Sequence, residues 1–272
     1  MVICQAESAS ERLHRYRDAT PRLAVRHCRS IFWHLVKAEN KTSTHTESAD
    51  DYLKAILELS GPGEKRVTSN ALAERLGVRA ASVTGMLQRL AAQKPSFVKY
   101  EKHHGVVLTE AGKHRAVEVL RHHRLLERFF HDFLDYPWDE VHEEAERLEH
   151  FISERLEDRI AAKLGDPDTD PHGHSIPERN GAVRPREEVA LSSWACGVPA
   201  VISSVSDRDP AALREMERLG LLPGVSVLVA PGNRGASLIV RIGNHTEAVR
   251  LNQRLVLAIS VVAAPKAPCA KS

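Results

Sequence analysis

At 272 residues the chain is long enough for two or three compact units, each with a modest core of its own. Thirty-eight Lys and Arg against 36 Asp and Glu leave a formal charge of +2, so whole-molecule charge does not advertise nucleic-acid binding and any basic surface must be local. Four scattered cysteines, Cys4, Cys28, Cys196 and Cys269, form no Cys-x-x-Cys pair, which suits a reducing cytoplasm and gives no disulfide framework.

Residues 1–44 are rich in Arg and His without a convincing period and read as a poorly ordered basic extension or an over-long translation start. A basic arm reaching toward DNA is the sharper alternative. Its longest apolar run, Ile31 to Val36, is interrupted by His34 and is far short of the ~20 residues of a membrane span. It also lacks the long apolar region of a signal peptide. A cytoplasmic protein with no membrane partner is expected.

Ala49 to Leu59 repeats apolar residues at helical spacing, with Tyr52, Leu53, Ile56, Leu57 and Leu59 inward, and Gly61-Pro62-Gly63 ends it. Next, Thr68 can cap a short helix carrying Leu72, Ala73 and Leu76, Gly77 supplies a stop, and a second helix runs from about Ala80 to Ala92. Val83, Leu87 and Leu90 share one face of that helix, leaving Arg79, Ser82, Thr84, Gly85 and Gln88 toward solvent. Small polar side chains can approach base edges, while Arg79, Arg89 or Lys94 can position phosphates. Tandem short helices also occur in unrelated bundles. Phe97 to Tyr100 and Gly105 to Leu108 then read as a hairpin, which makes the unit a winged helix-turn-helix with Lys99, Lys102 and His103 available to the DNA backbone.

From Glu110 to about Leu164 the pattern is helical, interrupted near Tyr136-Pro137. At roughly 100° per residue, His142, Glu146, Glu149 and His150 fall on one stripe beside the apolar set Val141, Ala145, Leu148 and Ile152. Imidazoles and carboxylates at a core margin suit a borderline-hard divalent cation, and the lack of thiolates argues against structural zinc. A solvated acidic helix face is the competing reading. His123 and Glu127, at i, i+4 beside Leu125, Leu126, Phe129 and Phe133, could present ligands across the same seam or form an ordinary surface pair. The apolar stripe of Leu125, Phe129 and Phe133 is the expected homodimer face.

Gly165 to Pro177 is dense in turn formers, and no apolar period returns before about Arg186, so a linker is expected. His172 and His174 read better as loop hydrogen-bonders or solvated rings than as ligands. The last segment changes character: Ala200–Val205, Val225–Ala230, Ser237–Ile242, Thr246–Leu251 and Leu255–Val262 are strand-like, with a helix from Pro210 to Leu219 between the first two. A small β-barrel of about 70 residues is the natural architecture.

In this order these pieces resemble the diphtheria toxin repressor family of metal-dependent transcription regulators, including its manganese-sensing branch. The resemblance spans roughly Asp50 to Val262 and rests on Asp51-Tyr-Leu, His123-Arg-Leu-Leu-Glu127, the run His142 to His150, and Asp170-Pro-His-Gly-His-Ser-Ile-Pro177. It implies a mainly α fold with a small β domain: a winged helix over 45–117, a helical dimerisation and metal-binding domain over 118–178, a linker over 179–190 and an SH3-like barrel of the FeoA type over 191–264, followed by a tail over 265–272. The barrel resemblance lies in Leu213 to Gly224. The family places a primary metal at positions matching Asp51, Glu146, Glu149 and His150, and an ancillary one at His123, Glu127 and His142. Iron-sensing members carry methionine and cysteine where this chain has Asp51 and Glu146, whereas manganese sensors carry the acidic pair. Manganese sensors often have a second carboxylate where this chain has Lys54, so a two-manganese site is not simply carried over. Extra ancillary ligands from the barrel map by ungapped matching onto Asp209 and Ala212, leaving Asp209 as the weak candidate.

The expected function is a metal-activated repressor of metal-uptake genes, binding double-stranded operator DNA as a homodimer. Mn2+ is the expected effector, with Fe2+ the alternative, and no small-molecule substrate is implied. A metallohydrolase using the His/Glu cluster is the rival from another class, but the chain has no His-Glu-x-x-His motif and a winged helix is superfluous to hydrolysis. A regulator that binds DNA without metal is the third reading.

Overall fold

The structure, a computed structural model, describes residues 46–61, 64–230, 237–243 and 247–264. The expected N-terminal extension and the tail from 265 lie outside the described residues. The first helix, α1 (Glu47–Ser60), buries Tyr52, Leu53, Ile56 and also Asp50 and Lys54. Leu59, expected inward, is exposed in the last turn, since a helix terminus has packing partners on one side only. Helix α2 (Ser69–Leu76) starts where the Thr68 side chain accepts the Ala71 amide at 3.2 Å. It ends at Gly77, whose left-handed φ of 64° turns its amide back onto the Ala73 and Glu74 carbonyls. Helix α3 (Ala80–Ala92) buries Val83, Met86, Leu87 and Leu90 against the same core. Strands β1 (Val98–Glu101) and β2 (Gly105–Leu108) pair antiparallel, and Val67 exchanges both backbone hydrogen bonds with Val106 at 2.9 Å, tying the wing to the chain ahead of α2.

The middle of the chain is broken twice, not once. Helix α4 (Glu110–Leu134) is capped by Thr109 and stops at Asp135, α5 (Val141–Leu148) follows Trp138, and α6 (Glu154–Leu164) begins at the Ser153 cap. The second break leaves Glu149 and His150 just past the end of α5 instead of inside a continuous helix. Leu125, Leu126 and Phe130 pack against Val141, Ala145, Ile160, Ala161 and Ile176. Leu125 therefore belongs to the chain's own core, while Phe133 and Leu134 are exposed. Ile176 shows that the expected linker starts later than its turn-rich composition suggests: the segment around it is packed onto α4.

The last unit is a six-stranded antiparallel sheet in the order β3-β8-β4-β5-β6-β7. Its strands are β3 (Val189–Ala190), β4 (Pro199–Val205), β5 (Ser226–Val229), β6 (Leu238–Ile242), β7 (Ala248–Leu251) and β8 (Ile259–Ala263), with α7 (Pro210–Leu219) after β4. Leu255 to Ala258, expected as strand, lies in a short helix, α8 (Gln253–Ala258), because Asn252 accepts the Leu255 amide and starts a helical turn. Trp138 leaves the helical unit to bury its ring in the barrel core, and its indole N–H donates to the Pro171 carbonyl at 3.1 Å. That ring fixes the barrel to the turn between α4 and α5.

Glu157 of α6 is buried against α4, where it accepts from Arg121 and lies 3.1 Å from His122 Nε2. Burial pushes its carboxyl pKa up, but His122 and Arg121 outweigh this and hold it at about 2. Its contribution to stability is present above the ordinary value of 4.5 and is lost as pH falls toward 2. Glu157→Gln should cost on the order of 3 kcal/mol at neutral pH, and urea titrations across a pH series should show the gap from wild type closing below about pH 4.5.

Candidate metal centre and nucleic-acid interface

Asp51 stands on α1, one residue after Asp50, and meets the turn beyond α5. His150 Nε2 lies 3.0 Å from Asp51 Oδ1 and 3.5 Å from Glu149 Oε1. Asp51, Glu149 and His150 form one group whose donor atoms all lie within 4.8 Å of one another. Behind it, the Arg115 guanidinium grips both Asp50 oxygens at 2.8 and 2.6 Å. Burial raises the Asp50 pKa, but Arg115 and His150 overcome it and hold the group at about 2. Asp50 Oδ2 in turn sits 3.6 Å from His150 Nδ1, too long for a hydrogen bond but on the side that aims Nε2 at Asp51. His150 itself is held up to about 9, where burial is outweighed by Asp50 and Asp51.

Glu146, the fourth expected primary residue, is not part of that group. It gathers with Glu149 and His123 in a second one. Lys54 Nζ lies between the two carboxylates, 2.8 Å from Glu146 Oε1 and 2.6 Å from Glu149 Oε1. Burial disfavours the ammonium, yet Glu149 and Glu146 raise the Lys54 pKa above its ordinary value.

His123 and Glu127 are buried rather than on the surface, and they belong to a third group with His142 and Asp207. His123 uses both ring nitrogens: Nδ1 is 2.5 Å from Glu149 Oε2, and Nε2 is 2.9 Å from Glu127 Oε1 and 3.1 Å from His142 Nδ1. Against the penalty of burial, the Glu127 charge holds the His123 pKa up to about 10. Asp207 Oδ2 approaches His142 Nδ1 at 3.4 Å. The barrel thus supplies a carboxylate, but not the one expected. Asp209 caps α7 by accepting the Ala212 amide and is gripped by Arg254, in none of the metal-type groups among the described residues.

His172 bonds to a loop, as one of its two expected readings has it, but it is fully buried rather than solvated and falls in a fourth group with Glu127 and Asp170. Its Nε2 lies 3.0 Å from the Trp138 carbonyl, while Nδ1 faces Glu127 Oε1 at 3.8 Å. Asp170 Oδ1 accepts the amides of His172 and His174, both at 2.9 Å, which pins this loop. Gly173 is required there. A Cβ would come within 2.2 Å of the Ser203 carbonyl on β4, at a φ of +92°. Among the described residues, Glu127 Oε2, His150 Nδ1 and His172 Nδ1 are buried without a hydrogen-bond partner. Orphaned polar atoms are rare in folded proteins. Two of these lie among the Glu127, Asp170, His172 donors, so the oxygen and nitrogen set fits a divalent cation.

On the DNA-binding side, Arg79, Ser82, Gln88 and Arg89 are exposed along α3, and Lys99, Lys102 and His103 are exposed on the wing. Thr84 is only half exposed, its hydroxyl donating back to the Ala80 carbonyl at 3.3 Å. Sequence reasoning missed Asp207 and set His172 aside because both are drawn in by long-range packing of β4 and the loop, with no periodic signal of their own.

Residues 44–106 match the family described as iron dependent repressor, N-terminal DNA binding domain, and residues 109–178 its metal binding and dimerisation domain. Residues 189–263 match the FeoA domain. The chain is 30% identical over 227 residues to the iron-dependent repressor IdeR of Mycobacterium tuberculosis, an alignment covering 79% of this chain and 96% of that protein. It is 36% identical over 116 residues to the HTH-type transcriptional regulator MntR of Oceanobacillus iheyensis, covering 42% of this chain and 76% of that one. Among solved structures, a manganese-dependent transcriptional repressor in complex with manganese superposes with a TM-score of 0.73 at 36% identity, covering 79% of this chain and 100% of that one.

The third group generates a prediction about the barrel. Asp207→Ala should weaken divalent-metal uptake at that group by at least about tenfold, the scale on which even outer partners of a metal act. Asp209→Asn, which keeps the helix cap, should leave uptake unchanged; calorimetric titration of both variants with Mn2+ checks this.

Proposed function

Since the chain belongs to the diphtheria toxin repressor family of metal-dependent transcription regulators, we propose that it is a manganese-responsive repressor that binds palindromic operator DNA as a homodimer and controls metal-uptake genes. At the level of the family it is a metal-dependent, DNA-binding transcriptional repressor, not an enzyme. No helix among the described residues is long and apolar enough to cross a membrane, and a cytoplasmic location agrees with the reading.

The single observation that carries the finer proposal is the meeting of Asp51, on the winged-helix unit, with Glu149 and His150 of the helical unit, at 3.0 Å between Asp51 and His150. These three side chains would hold the activating cation, and Glu127, His142 and Asp207 an ancillary one with His123. A bound divalent ion supplies the positive charge that lets carboxylates of different units stay side by side. Arg115 and Asp50 keep His150 oriented, and the α1 backbone carries the constraint toward α2 and α3. Fixing α1 in this way fixes the direction in which Ser82, Gln88 and Arg89 face, and two copies with α3 about one DNA turn apart can enter successive major grooves.

Manganese is favoured over iron because every donor in the four groups is carboxylate oxygen or imidazole nitrogen, with no sulfur. The likeness to the iron-dependent repressor supports Fe2+ as the second reading. The dimer is placed on the exposed end of α4 and the neighbouring α6, where Phe129 stacks on Phe133 at 5.6 Å and Leu134 and Leu156 are uncovered.

Gel-shift titration over a panel of metal-uptake promoters should show DNA binding that requires Mn2+ at lower free concentration than Fe2+, Co2+ or Zn2+, and that weakens steeply with salt. Ser82→Glu should abolish the shift while leaving metal uptake unchanged. A protein that shifts under anaerobic Fe2+ but not Mn2+ is an iron sensor of the same family. Sedimentation should find a dimer at micromolar concentration, and Phe133→Arg should yield monomers.

A further inference from the structure

Two of the metal-type groups share Glu149, and they are not equivalent. Asp51, Glu149 and His150 face one another directly. Glu146, Glu149 and His123 also converge within 4.8 Å, but an ammonium already stands among them. Lys54 follows Asp51 by three residues on α1, so both side chains leave the same helix face. Its side chain is 5% exposed, and its Nζ contacts the same Oε1 of Glu149 that faces His150.

We propose that the Lys54 ammonium is a built-in cation occupying the position framed by Glu146, Glu149 and His123, so that this part of the centre takes up one exchangeable divalent ion instead of two. The inference rests on the metal-dependent reading above. An ammonium has three donors and no lone pair, so it neutralises the carboxylates without serving as a ligand. Its contacts of 2.6 and 2.8 Å take the oxygens a second metal would need. A divalent ion brought beside it would add strong like-charge repulsion in a poorly screened site. A buried ammonium without these carboxylates would be costly, which keeps it in place.

The arrangement also decides which centre His123 serves. With Lys54 neutralising Glu146 and Glu149, His123 Nδ1 is left to pair with Glu149 Oε2, and Nε2 is directed at Glu127 and His142. Lys54 is in this sense a specificity-determining residue for metal number. It reserves the imidazole for the ancillary group.

The test counts metal in the full chain. Mn2+ bound per chain is measured by equilibrium dialysis with elemental analysis, and exchange coupling by electron paramagnetic resonance, for wild type, Lys54→Glu and Lys54→Met. The expected result is one additional Mn2+ per chain in Lys54→Glu, exchange-coupled through Glu149 to the ion at Asp51 and His150. Lys54→Met, which removes the charge without adding a donor, should gain the same ion at higher free Mn2+. In wild type, saturation should produce no exchange-coupled pair, a measurement that holds even if neither variant folds. A folded Lys54→Glu protein with the wild-type count, or a coupled pair in wild type, overturns the proposal while leaving the repressor reading standing. A wild type that takes up no divalent metal overturns that reading as well.

Discussion

The structure depends on the burial of carboxylates from different units at one place. Glu127, Glu149 and Asp170 are almost completely withdrawn from solvent, and Asp50, Asp51, Glu146 and Asp207 crowd around them from α1, α5 and the barrel. Carboxylates in a low-dielectric setting repel one another and lose hydration, so each must find a positive or hydrogen-donating partner. Most of those partners come from other elements: Arg115 on α4 for Asp50, Lys54 on α1 for Glu146 and Glu149, and His123 on α4 for Glu149, while His123 also pairs with Glu127 one turn along the same helix. Charge balance at this junction therefore ties α1 to α4 and α5.

The same fact explains how a small ion can have a large structural effect. A ligand shifts a conformational equilibrium only by its difference in affinity between two arrangements. Donors that lie within one unit would bind metal equally well in both arrangements and would shift nothing. Here Asp51 lies on α1 of the winged-helix unit and His150 in the helical unit, with α4 running between them, and His142 and Asp207 join the helical unit to the barrel. A metal held at these clusters would bind with an affinity sensitive to how the units are placed, which is the requirement for a corepressor. The orphaned nitrogen of His172 and oxygen of Glu127 mark the interior side of the barrel-facing cluster as incompletely satisfied by the protein alone.

What could be read from the sequence followed from local signals. Thr68, Gly77 and the spacing of Val83, Leu87 and Leu90 place α2 and α3 with the expected bounds, because caps and periodicity act within a few residues. Leu255 to Ala258 was misread because a short apolar run does not distinguish strand from helix, and the deciding signal was the single Asn252 cap. At the centre, His123, Glu127, His142, Glu149 and His150 were legible as types and spacings, but their sorting into groups was not. Glu146 departs from the primary set because Lys54, 92 residues away in the chain, takes its oxygen. Ungapped matching leads to Asp209 and misses Asp207, because it cannot see that the helix cap and Arg254 claim Asp209.

Asp207 and its neighbour Arg208 give the barrel a second connection. Asp207 faces His142 at 3.4 Å, while Arg208 reaches Glu58 on α1 at 3.4 Å, and the same Glu58 oxygen accepts from Arg75 of α2 at 2.7 Å. Two adjacent residues on one short stretch after β4 therefore touch the helical unit and the winged helix at once. The Arg208 contact is largely exposed and weak by itself, worth at most ~1 kcal/mol. Its interest is geometric: the stretch that brings Asp207 to His142 also brings Arg208 to Glu58. Glu58, shared between Arg208 and Arg75, places the barrel next to α2, which packs against α3. The barrel thus contacts both the helical unit and the winged helix through two adjacent residues.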